Sequence, residues 1–447
     1  MGKITVVGLG PGTADAVTQK AWNVLRQAKE IYVRTREHPV VAILTRYTKV
    51  HSFDEVYAQA ETFSEVYETI AQRVITLGTR PEGVVYAVPG HPRVGEATTP
   101  RIEALAQQAD IPVQIVEGIS FVDTVCNAVG LDPMNGLTVY DAMLIAQEHF
   151  PKVNTDYPLI LGQLYDRSLA SDVKLTLMAA YPPEHEVILI QRAGTPDVRV
   201  ERFPLYTLDH RHTFDHMTAL VVPPWPHPSS YEAFQEIVHH LRSPEGCPWD
   251  RKQTHQSLRR YLLEETYEVL DALDRDDPDA LKEELGDLLL QIGLHVAIAG
   301  EGQEFLLGDV IGHIVDKMIR RHPHVFGDVE VSGAEEVVRN WEAIKQAEKG
   351  QKTEDPFAGI PLALPGLLRA GKVAKRGGWT PDLPPAPLAG YPRQELTPQR
   401  VGDLLFWLAA WAHMQEWDAE ALLREAVHRF VEQVRSGRKT SSSADNL

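Results

Sequence analysis

Acidic residues recur at helical spacing in two neighbouring segments of the sequence. Glu265 and Glu268 are three residues apart, and Glu284 and Asp287 repeat that spacing. Pro278, preceded by aspartates, suits the first position of a new helix with an aspartate as its N-cap. At 1.5 Å per residue, Glu268 and Glu284 then lie roughly 12 Å from the turn on opposite sides, at one level. The spacing predicts two antiparallel helices that direct four carboxylates toward one another.

The residues that follow Asp287 suggest why these acids are there. Taken alone, the helix with Glu265 and Glu268 is better explained as an ordinary amphipathic helix with a solvated acidic face. Residues 288–298, however, are apolar on nearly every side, which favours a buried helix. Unpaired carboxylates buried beside it would each cost several kcal/mol, so a cation is expected. All-oxygen ligands completed by substrate phosphates suit Mg²⁺ or Mn²⁺ rather than zinc.

A basic cluster follows in the segment DKMIRRHPHVFGD, residues 316–328. Lys317, Arg320 and Arg321 lie within two helical turns before Pro323 ends the helix. Such a cluster can hold phosphate oxygens, arginine in bidentate fashion. The alternative is a basic last turn that complements the helix dipole. Next to a strongly acidic metal site, the phosphate role is favoured.

Two further features of this region have competing explanations. His322 and His324 are potential metal ligands, but their position at a helix stop favours a cap or turn. In the segment NWEAIK, Trp341 offers a flat surface for a base, with Lys345 one turn later. The alternative for an isolated tryptophan is a place in the core.

These chemical groups require two kinds of supporting architecture. From residue 1 to about 223, short β-branched runs alternate with helical stretches, which indicates an α/β domain. The runs are residues 4–10, 30–35, 84–90, 113–118, 159–164, 186–193 and 219–224. The proline-rich segment 221–230 predicts a domain boundary. Residues 231–349, 362–376 and 398–436 then have the pattern of helices.

A repeat lies inside the helical part. The segment beginning GDLLLQIGL at residue 286 aligns with GDLLFWLAA at residue 402. In the second copy Arg400 takes the place of Glu284 and His428 that of Asp316, and no EExxE precedes Asp403. We therefore expect one working module and one structural module.

Composition excludes several classes of protein. The 447 residues predict two or three domains, and a net charge of −18 argues against sequence-independent binding of nucleic acid. Two cysteines give no disulfide framework and no paired CxxC for zinc. No signal peptide or membrane-spanning run is found, so a cytoplasmic protein without membrane attachment is expected.

The helical motifs, in their order and spacing, resemble the MazG-type nucleoside triphosphate pyrophosphohydrolases. They are CPWDRKQTHQSLRRYLLEETYEV, EELGDLL, DKMIRRHPHVFG and NWEAIK. The resemblance implies an all-α bundle that forms a homodimer through its helical modules and cleaves a nucleoside triphosphate to the monophosphate and pyrophosphate. It implies that Mg²⁺ is bound by Glu265, Glu268, Glu284 and Asp287.

The same resemblance assigns the nucleotide contacts. It places Glu264, Lys317, Arg321 and Trp341 on the nucleotide, and Arg320 and Lys345 belong to the same basic and aromatic set. Glu264 is on the acidic helix face but outside the ligand set, which makes it the candidate base for the attacking water.

Glycine-rich segments of the α/β part resemble the tetrapyrrole methylase family. They are VVGLGPG (6–12), VPGHPRVGE (88–96) and VEGISF (116–121). That family has two α/β lobes with S-adenosylmethionine between them. By motif position, the contacts are Pro11, Pro89, Gly90, His91, Val94 and Ser120. The sequence departs from the family pattern where GHP replaces GDP and where Arg34 or Thr35 lies in the region of an expected acid.

Two other nucleotide motifs are rejected. Pro11 lies where a GxGxxG fingerprint needs a helical approach, which argues against a Rossmann site. GLLRAGKV, residues 366–373, reads GxxxxGK, but Val373 stands where a Walker motif needs Ser or Thr, and its flanks are helical.

The sequence thus predicts a multidomain enzyme with a two-lobed α/β part and an all-α tandem helical bundle. The expected domains are residues 1–223 (methylase-like), 229–350 (intact helical module), 360–436 (degenerate module) and 437–447 (disordered tail). The predicted activity is Mg²⁺-dependent pyrophosphohydrolysis that clears non-canonical or excess nucleotides, with S-adenosylmethionine on the α/β part. Alternatives are a methyltransferase whose helices mediate assembly, and a nucleotide sensor with slow turnover in both domains.

Overall fold

The chain forms two compact units, Met1–Glu304 and Phe305–Leu447. The computed structural model describes residues 2–210, 213–348, 355, 357–377, 397–402, 405 and 419–436. The division lies within the helical half of the chain. The domain boundaries expected from the sequence stay predictions.

The first lobe is built on a parallel five-stranded sheet. Its strands are β1 Ile4–Gly8, β2 Glu30–Val33, β3 Lys49–Ser52, β4 Val84–Val88 and β5 Val113–Val116. They lie in the order β3-β2-β4-β1-β5, all parallel. Every residue of β1 is buried, as expected for a strand with layers on both faces of a parallel sheet.

Helices cover both faces of this sheet. They are α1 Gln19–Gln27, α2 Val41–Leu44, α3 Asp54–Gln59, α4 Phe63–Gly78 and α5 Thr98–Gln108. Alternate residues of β1 supply two cores: Ile4 and Val6 belong to one, and Val7 belongs to the other. Because successive side chains of β1 point to opposite faces, this strand packs against both helical layers.

The second lobe has a mixed five-stranded sheet. Its strands are β6 Thr138–Asp141, β7 Leu159–Gly162, β8 Glu186–Gln191, β9 Arg199–Pro204 and β10 Thr218–Val222. They lie in the order β6-β7-β10-β8-β9; β6 and β7 are parallel and the other pairs are antiparallel. The helices of this lobe are α6 Phe121–Val129, α7 Ala142–Ile145 and α8 Arg167–Leu177.

All seven predicted strands are present, and three additional strands were not predicted. The additional strands, β3, β6 and β9, each lie at the edge of a sheet. Edge strands have a solvated side, so their sequences KVHS, TVYD and RVERFP carry polar residues. The apolar runs that identify a central strand are absent from them.

The remainder of the first unit is helical. It contains α9 Tyr231–Arg242, α10 His255–Asp274 and α11 Pro278–Glu301. Their core is formed by Val238, Leu258, Leu294 and Ala297. A Cβ at Gly293 would lie 2.7 Å from the ring of Phe234, so glycine permits the close approach of α11 to α9.

The start of α9 is bonded to the second lobe. The carboxylate of Asp156 accepts from the backbone N–H of Ser229 at 2.7 Å and of Ser230 at 3.2 Å. The amide of Asn154 donates to Glu232 at 3.1 Å. The end of the proline-rich segment and the start of α9 are therefore held against the second lobe by hydrogen bonds.

The second unit is helical over its described residues. It contains α12 Leu307–Arg321, α13 Pro323–Phe326, α14 Ala334–Glu348, α15 Gly366–Gly377 and the helix Ala419–Arg435. One core joins Phe357, Ile360, Val373, Val427 and Val431. GLLRAGKV is part of α15, which confirms the rejection of a Walker loop.

Some predictions for the second unit concern residues that the structure does not describe. Asp403, most of the second GDLL segment and residues 437–447 lie outside the described residues, whereas Arg400 and His428 are described and exposed. Within the described part of the chain, none of the helices combines the length and apolar content that crossing a membrane requires.

Candidate functional site

The helix reversal predicted between the two acidic pairs is confirmed. Helix α10 ends at Asp274, Asp276 adopts a positive φ of 53°, and Pro278 occupies the first turn of α11. The side chain of Asp277 accepts from the backbone N–H of Ala280 at 3.1 Å and so caps α11. Local turn chemistry therefore brings α10 and α11 side by side.

Three glutamates converge across these helices. Glu265 and Glu268 of α10 and Glu284 of α11 each place a carboxylate oxygen within 4.8 Å of the others. We call these three residues the glutamate centre. Asp287 is not in this closest group, yet its charge acts on both Glu265 and Glu284.

Partial burial and the crowding of like charges raise the pKa of Glu265 and Glu284. Partial burial, the charge of Asp287 and a hydrogen bond with Glu268 all raise the pKa of Glu265. Partial burial also raises the pKa of Glu284, and Glu268, Glu283 and Asp287 add to that effect. A divalent cation would relieve this repulsion, and clustered carboxylate oxygens are the donors that Mg²⁺ and Mn²⁺ prefer.

The expectation that these carboxylates are buried is wrong. Glu264, Glu268 and Asp287 are exposed, and Glu265 and Glu284 are half-buried. The apolar Leu285 is also 49% exposed. The reason is that α11 packs on α9 through its C-terminal half, where burial begins at Gln291. The predicted metal site is therefore supported by the convergence of the carboxylates and their mutual repulsion, not by the cost of burial.

The predicted phosphate-binding residues lie in the second unit. Both arginines of α12 bond one carboxylate of α14: Arg320 Nε donates to Glu348 at 2.7 Å, and Arg321 Nε donates at 3.0 Å. These bonds lower the pKa of Glu348 to about 2. Lys317 lies one turn before Arg321 and is half-buried.

Trp341 is bracketed by two cations. The guanidinium carbon of Arg321 lies 5.3 Å from the ring centroid, and Lys345 Nζ lies 4.9 Å from it. These distances allow cation–π attraction. The ring is half-buried and in contact with the predicted basic residues.

The two histidines of the HPH segment are at the junction between helices. His322 ends α12 and precedes α13, and its Nδ1 is 2.7 Å from the carbonyl oxygen of Met318. The interpretation of His322 as a cap residue is confirmed. His324 lies beside it with a ring separation of 5.7 Å.

In the first lobe the glycine-rich segments meet at the carboxyl edge of the sheet. Gly10 and Gly90 form an antiparallel bridge, with Gly90 N donating to Gly10 O at 2.8 Å. A Cβ on Gly8 would lie 2.6 Å from Gly90 O and 2.7 Å from Gly118 N. These glycines allow the loops to pack closely against one another. Their presence is explained by this packing and not by a phosphate-binding motif. We call Gly8, Gly10, Gly90 and Gly118 the glycine junction.

A cavity of about 920 Å³ opens beside the glycine junction. It is lined by residues of both α/β lobes, among them Arg34, Tyr57, Phe121 and Gln163. Of the six residues predicted to contact a cofactor, four line it: Pro11, Pro89, Gly90 and Val94.

The other two predicted cofactor residues are not among the lining residues. Ser120 caps α6 by accepting from Asp123 N at 3.4 Å and donates its own hydroxyl to that carboxylate at 2.8 Å. His91 Nδ1 accepts from Arg93 N at 3.0 Å. Their predicted roles stay predictions.

Arg34 enters the cavity as half of a compensated ion pair. Its Nη1 lies 2.7 Å from Glu96, which is buried, and its Nε donates to Tyr57 at 2.7 Å. Burial disfavours the charge, but Glu96 and Tyr57 more than offset this and raise the pKa of Arg34. The second oxygen of Glu96 accepts from Thr98 N at 2.9 Å. Arg34, which lies in the region where an acid was expected, is thus a permanent cation.

His38 borders the same cavity. Its Nε2–H donates to the carbonyl of Gly10 at 2.9 Å, and its Nδ1 accepts from Val40 N at 3.4 Å. Burial lowers the pKa of His38, against the opposing effect of the Gly10 bond. The neutral ring therefore holds the β2 loop against the glycine junction.

Sequence reasoning missed His38, Glu96 and Glu348. For Glu348 a signal was available, since Trp341, Lys345 and Glu348 follow one helix face at intervals of four and three residues. For His38 and Glu96 there was none, because their partners Gly10 and Arg34 are distant in sequence.

Comparison with known families matches both parts of the chain. Residues 3–209 match the tetrapyrrole (corrin/porphyrin) methylases. Residues 253–326 match the MazG nucleotide pyrophosphohydrolase domain. The two-lobed α/β part and the helical part therefore correspond to separate families, as expected from the motifs.

Individual proteins are similar to most or to part of the chain. YabN of Bacillus subtilis is 40% identical over 379 residues, which are 84% of this chain and 77% of that protein. The nucleoside triphosphate pyrophosphohydrolase/pyrophosphatase MazG of Thermotoga maritima is 39% identical over 217 residues, 45% of this chain and 83% of that protein. A uroporphyrin-III-C-methyltransferase structure from Thermus thermophilus is 23% identical with a TM-score of 0.40, covering 50% of this chain and 92% of that one.

Proposed function

The chain belongs to the MazG nucleotide pyrophosphohydrolase family, and we propose that it hydrolyses nucleoside triphosphates to monophosphate and pyrophosphate with Mg²⁺ or Mn²⁺. One observation carries this proposal: carboxylate oxygens of Glu265, Glu268 and Glu284 lie within 4.8 Å of one another on adjacent helices. Asp287 supplies a fourth acid beside them. The substrates would be non-canonical or excess nucleotides.

The chain's own groups define the chemistry of this centre. A bound Mg²⁺ would neutralise phosphate charge and make the α-phosphorus more electrophilic. Glu264, exposed on α10 beside the centre, is proposed to orient the attacking water and accept its proton. Water oxygen then bonds to the α-phosphorus, the bond to the bridging oxygen breaks, and pyrophosphate leaves.

The basic residues of the second unit are assigned to the triphosphate on chemical grounds. Lys317, Arg320, Arg321 and Lys345 supply positive charge, and Arg320 and Arg321 supply planar donor groups that match phosphate oxygens. Trp341 supplies an aromatic surface to the nucleotide. These roles are part of the proposal.

Substitution of one predicted ligand tests the proposed activity. We expect Asp287→Asn or Glu265→Gln to lower Mg²⁺-dependent pyrophosphate release by about two orders of magnitude, because either change removes a charge that holds the cation. Neither position is buried, so we expect both variants to fold. The measurement is pyrophosphate release from each nucleoside triphosphate with Mg²⁺, including oxidised and deoxynucleotides.

The matched control is Asp274→Asn at the exposed end of α10. It makes the same chemical change outside the glutamate centre and should leave release unchanged. Full activity of the Asp287→Asn and Glu265→Gln variants would show that the glutamate centre is not the catalytic metal site. No release by the unmodified protein would favour a methyltransferase or a nucleotide sensor.

We further infer that the α/β part binds S-adenosylmethionine in its cavity. The supporting observation is that Pro11, Pro89, Gly90 and Val94, assigned by motif position, line one volume of about 920 Å³ at the glycine junction. A lining of backbone groups and apolar side chains with a few polar residues is typical of a small-molecule site. Methyl transfer to a tetrapyrrole is not part of this inference.

Binding of S-adenosylmethionine is tested by calorimetry and by thermal stability. We expect the unmodified protein to bind S-adenosylmethionine and S-adenosylhomocysteine, and Val94→Trp to abolish binding by filling the cavity. Ligand bound to the folded state alone raises the melting temperature by mass action. Equal binding by Val94→Trp would place the ligand elsewhere.

We also propose an oligomeric state and a cellular location for the protein. Homodimerisation through the helical modules and a cytoplasmic location follow from the family resemblance and the sequence. Light scattering of the purified protein tests the dimer.

A further inference from the structure

One carboxylate holds both arginines of the basic cluster. The Nε of Arg320 donates to one oxygen of Glu348 at 2.7 Å. The Nε and Nη2 of Arg321 donate to the other oxygen at 3.0 and 2.5 Å. The side chain of Arg321 is 11% exposed and that of Glu348 is 20% exposed, whereas Arg320 is 55% exposed. Glu348 therefore accepts two hydrogen bonds from the less accessible arginine on one oxygen and one hydrogen bond from the more accessible arginine on the other.

The same arginine is fixed from a second direction. Arg321 lies over the ring of Trp341 at 5.3 Å, and Lys345 lies over that ring at 4.9 Å. Trp341, Lys345 and Glu348 share one face of α14, since they are spaced by four and three residues. One face of α14 thus holds the end of α12 through an aromatic ring and a carboxylate.

The bonds to Glu348 leave donor capacity unused. A guanidinium carries five N–H groups. Among the described contacts, Glu348 engages two nitrogens of Arg321 and one of Arg320. The remaining N–H groups point away from Glu348 in a fixed plane, because the guanidinium is rigid. Two arginines and one glutamate also leave a net positive charge for an anion.

We propose that Glu348 is a positioning residue for polyphosphate binding: it orients Arg320 and Arg321 so that their free N–H groups meet the phosphates of a nucleoside triphosphate. This inference rests on the proposed function. The physical reason is preorganisation, since a long side chain that is already ordered loses less freedom when the ligand binds.

A competing role for Glu348 would change substrate affinity in the opposite direction. If Glu348 competed with phosphate for the arginines, removing its charge would free both and strengthen substrate binding. Positioning predicts weaker binding despite the gain in positive charge. The sign of the effect on substrate affinity therefore separates the two roles.

The test compares Glu348→Gln and Glu348→Asp with the unmodified protein. For hydrolysis of ATP with Mg²⁺, we expect Glu348→Gln to raise KM about tenfold with kcat within twofold. Glu348→Asp keeps the carboxylate and should recover part of the loss. Glu335→Gln, the same change at an exposed position on α14, is the matched control and should behave as the unmodified protein.

Direct binding separates this inference from the proposed activity. Calorimetry with α,β-methylene-ATP, which resists cleavage between the α and β phosphorus atoms, should show the same tenfold weakening in Glu348→Gln. If the unmodified protein releases no pyrophosphate but the variant still binds the analogue more weakly, the activity fails and the positioning role stands. Unchanged or tighter binding by a folded Glu348→Gln overturns the inference, as does no binding of the analogue by the unmodified protein.

Discussion

At the scale of single residues, the two candidate sites differ in how charge is compensated. In the cavity, Arg34 forms an ion pair with Glu96 at 2.7 Å, so the pair has no net charge that a ligand must balance. In the glutamate centre, three carboxylates lie together, and partial burial with the neighbouring negative charges raises the pKa of Glu265 and Glu284. Only the second arrangement creates a demand for a cation. Perturbed acidity therefore points to chemistry at the glutamate centre and to structure at Arg34.

His38 provides a prediction about pH. Its pKa is lowered in the folded protein, whereas an unfolded histidine titrates near 6.5. As pH falls below about 6.5, the unfolded state takes up a proton first, so stability is lost until the pH reaches the lowered folded pKa. We expect His38→Gln to reduce the fall in melting temperature between pH 7 and pH 5.

The control for this prediction is His149→Gln. His149 is exposed, so the same substitution should leave the pH dependence unchanged. Equal pH dependence in the His38→Gln variant and the unmodified protein would show that this ring does not couple folding to protonation.

At the scale of elements, the loops after β1, β4 and β5 pack backbone against backbone. Gly8, Gly90 and Gly118 approach so closely that a Cβ on Gly8 would lie 2.6 Å from the Gly90 carbonyl. Backbone atoms cannot move aside as flexible side chains do. The carboxyl edge of the sheet, and with it the wall of the cavity, therefore depends on glycine at these positions.

Gly118→Ala tests this packing. Its Cβ would overlap the carbonyl oxygen of Gly90, so we expect a loss of about 2–3 kcal/mol in the free energy of unfolding. Urea denaturation followed by circular dichroism measures the change.

Gly312→Ala is the matched substitution in α12, where an added Cβ meets nothing within 4 Å. It should stabilise its helix by up to about 1 kcal/mol, because glycine is a poor helix former. A Gly118→Ala variant as stable as the unmodified protein would mean that the loops can separate without cost.

At the scale of the whole molecule, the link between the α/β lobes and α9 determines whether they unfold together. Asp156 accepts from the N–H of Ser229 and Ser230, and the Ser230 hydroxyl also bonds it. Although partial burial opposes it, these bonds lower the pKa of Asp156. A short polar connection thus joins the second α/β lobe to the start of α9.

We expect Asp156→Ala to separate the unfolding of helices α9–α11 from that of the α/β lobes. Loss of the hydrogen bonds to the charged carboxylate costs about 1–3 kcal/mol. This loss weakens the contact between the second lobe and α9. Differential scanning calorimetry should show a broader or divided transition.

Asp166→Ala is the comparison, since Asp166 caps α8 by accepting from Leu169 N at 2.8 Å inside one lobe. It should lower stability without dividing the transition. The same single transition in the Asp156→Ala variant would show that other contacts couple the two parts.

The sequence by itself determined the features that depend on local pattern. Apolar runs identified the central strands, and Pro278 with its aspartate cap identified the helix reversal. That reversal, with the three-residue spacing of Glu265 and Glu268, brought these two residues and Glu284 into one cluster. Each of these depends on bond geometry and periodicity over a few residues, which the chain carries wherever it packs. The glycine-rich segments were recognised in the same way.

Tertiary structure alone decided the features that depend on distant partners. The edge strands β3, β6 and β9 exist because a neighbouring strand pairs with them. Glu284 and Asp287 are not buried because α11 packs on α9 through its other half. The pairing of Arg34 with Glu96 likewise joins residues 62 positions apart. Burial and long-range pairing are properties of the packed chain, and no local pattern carries them.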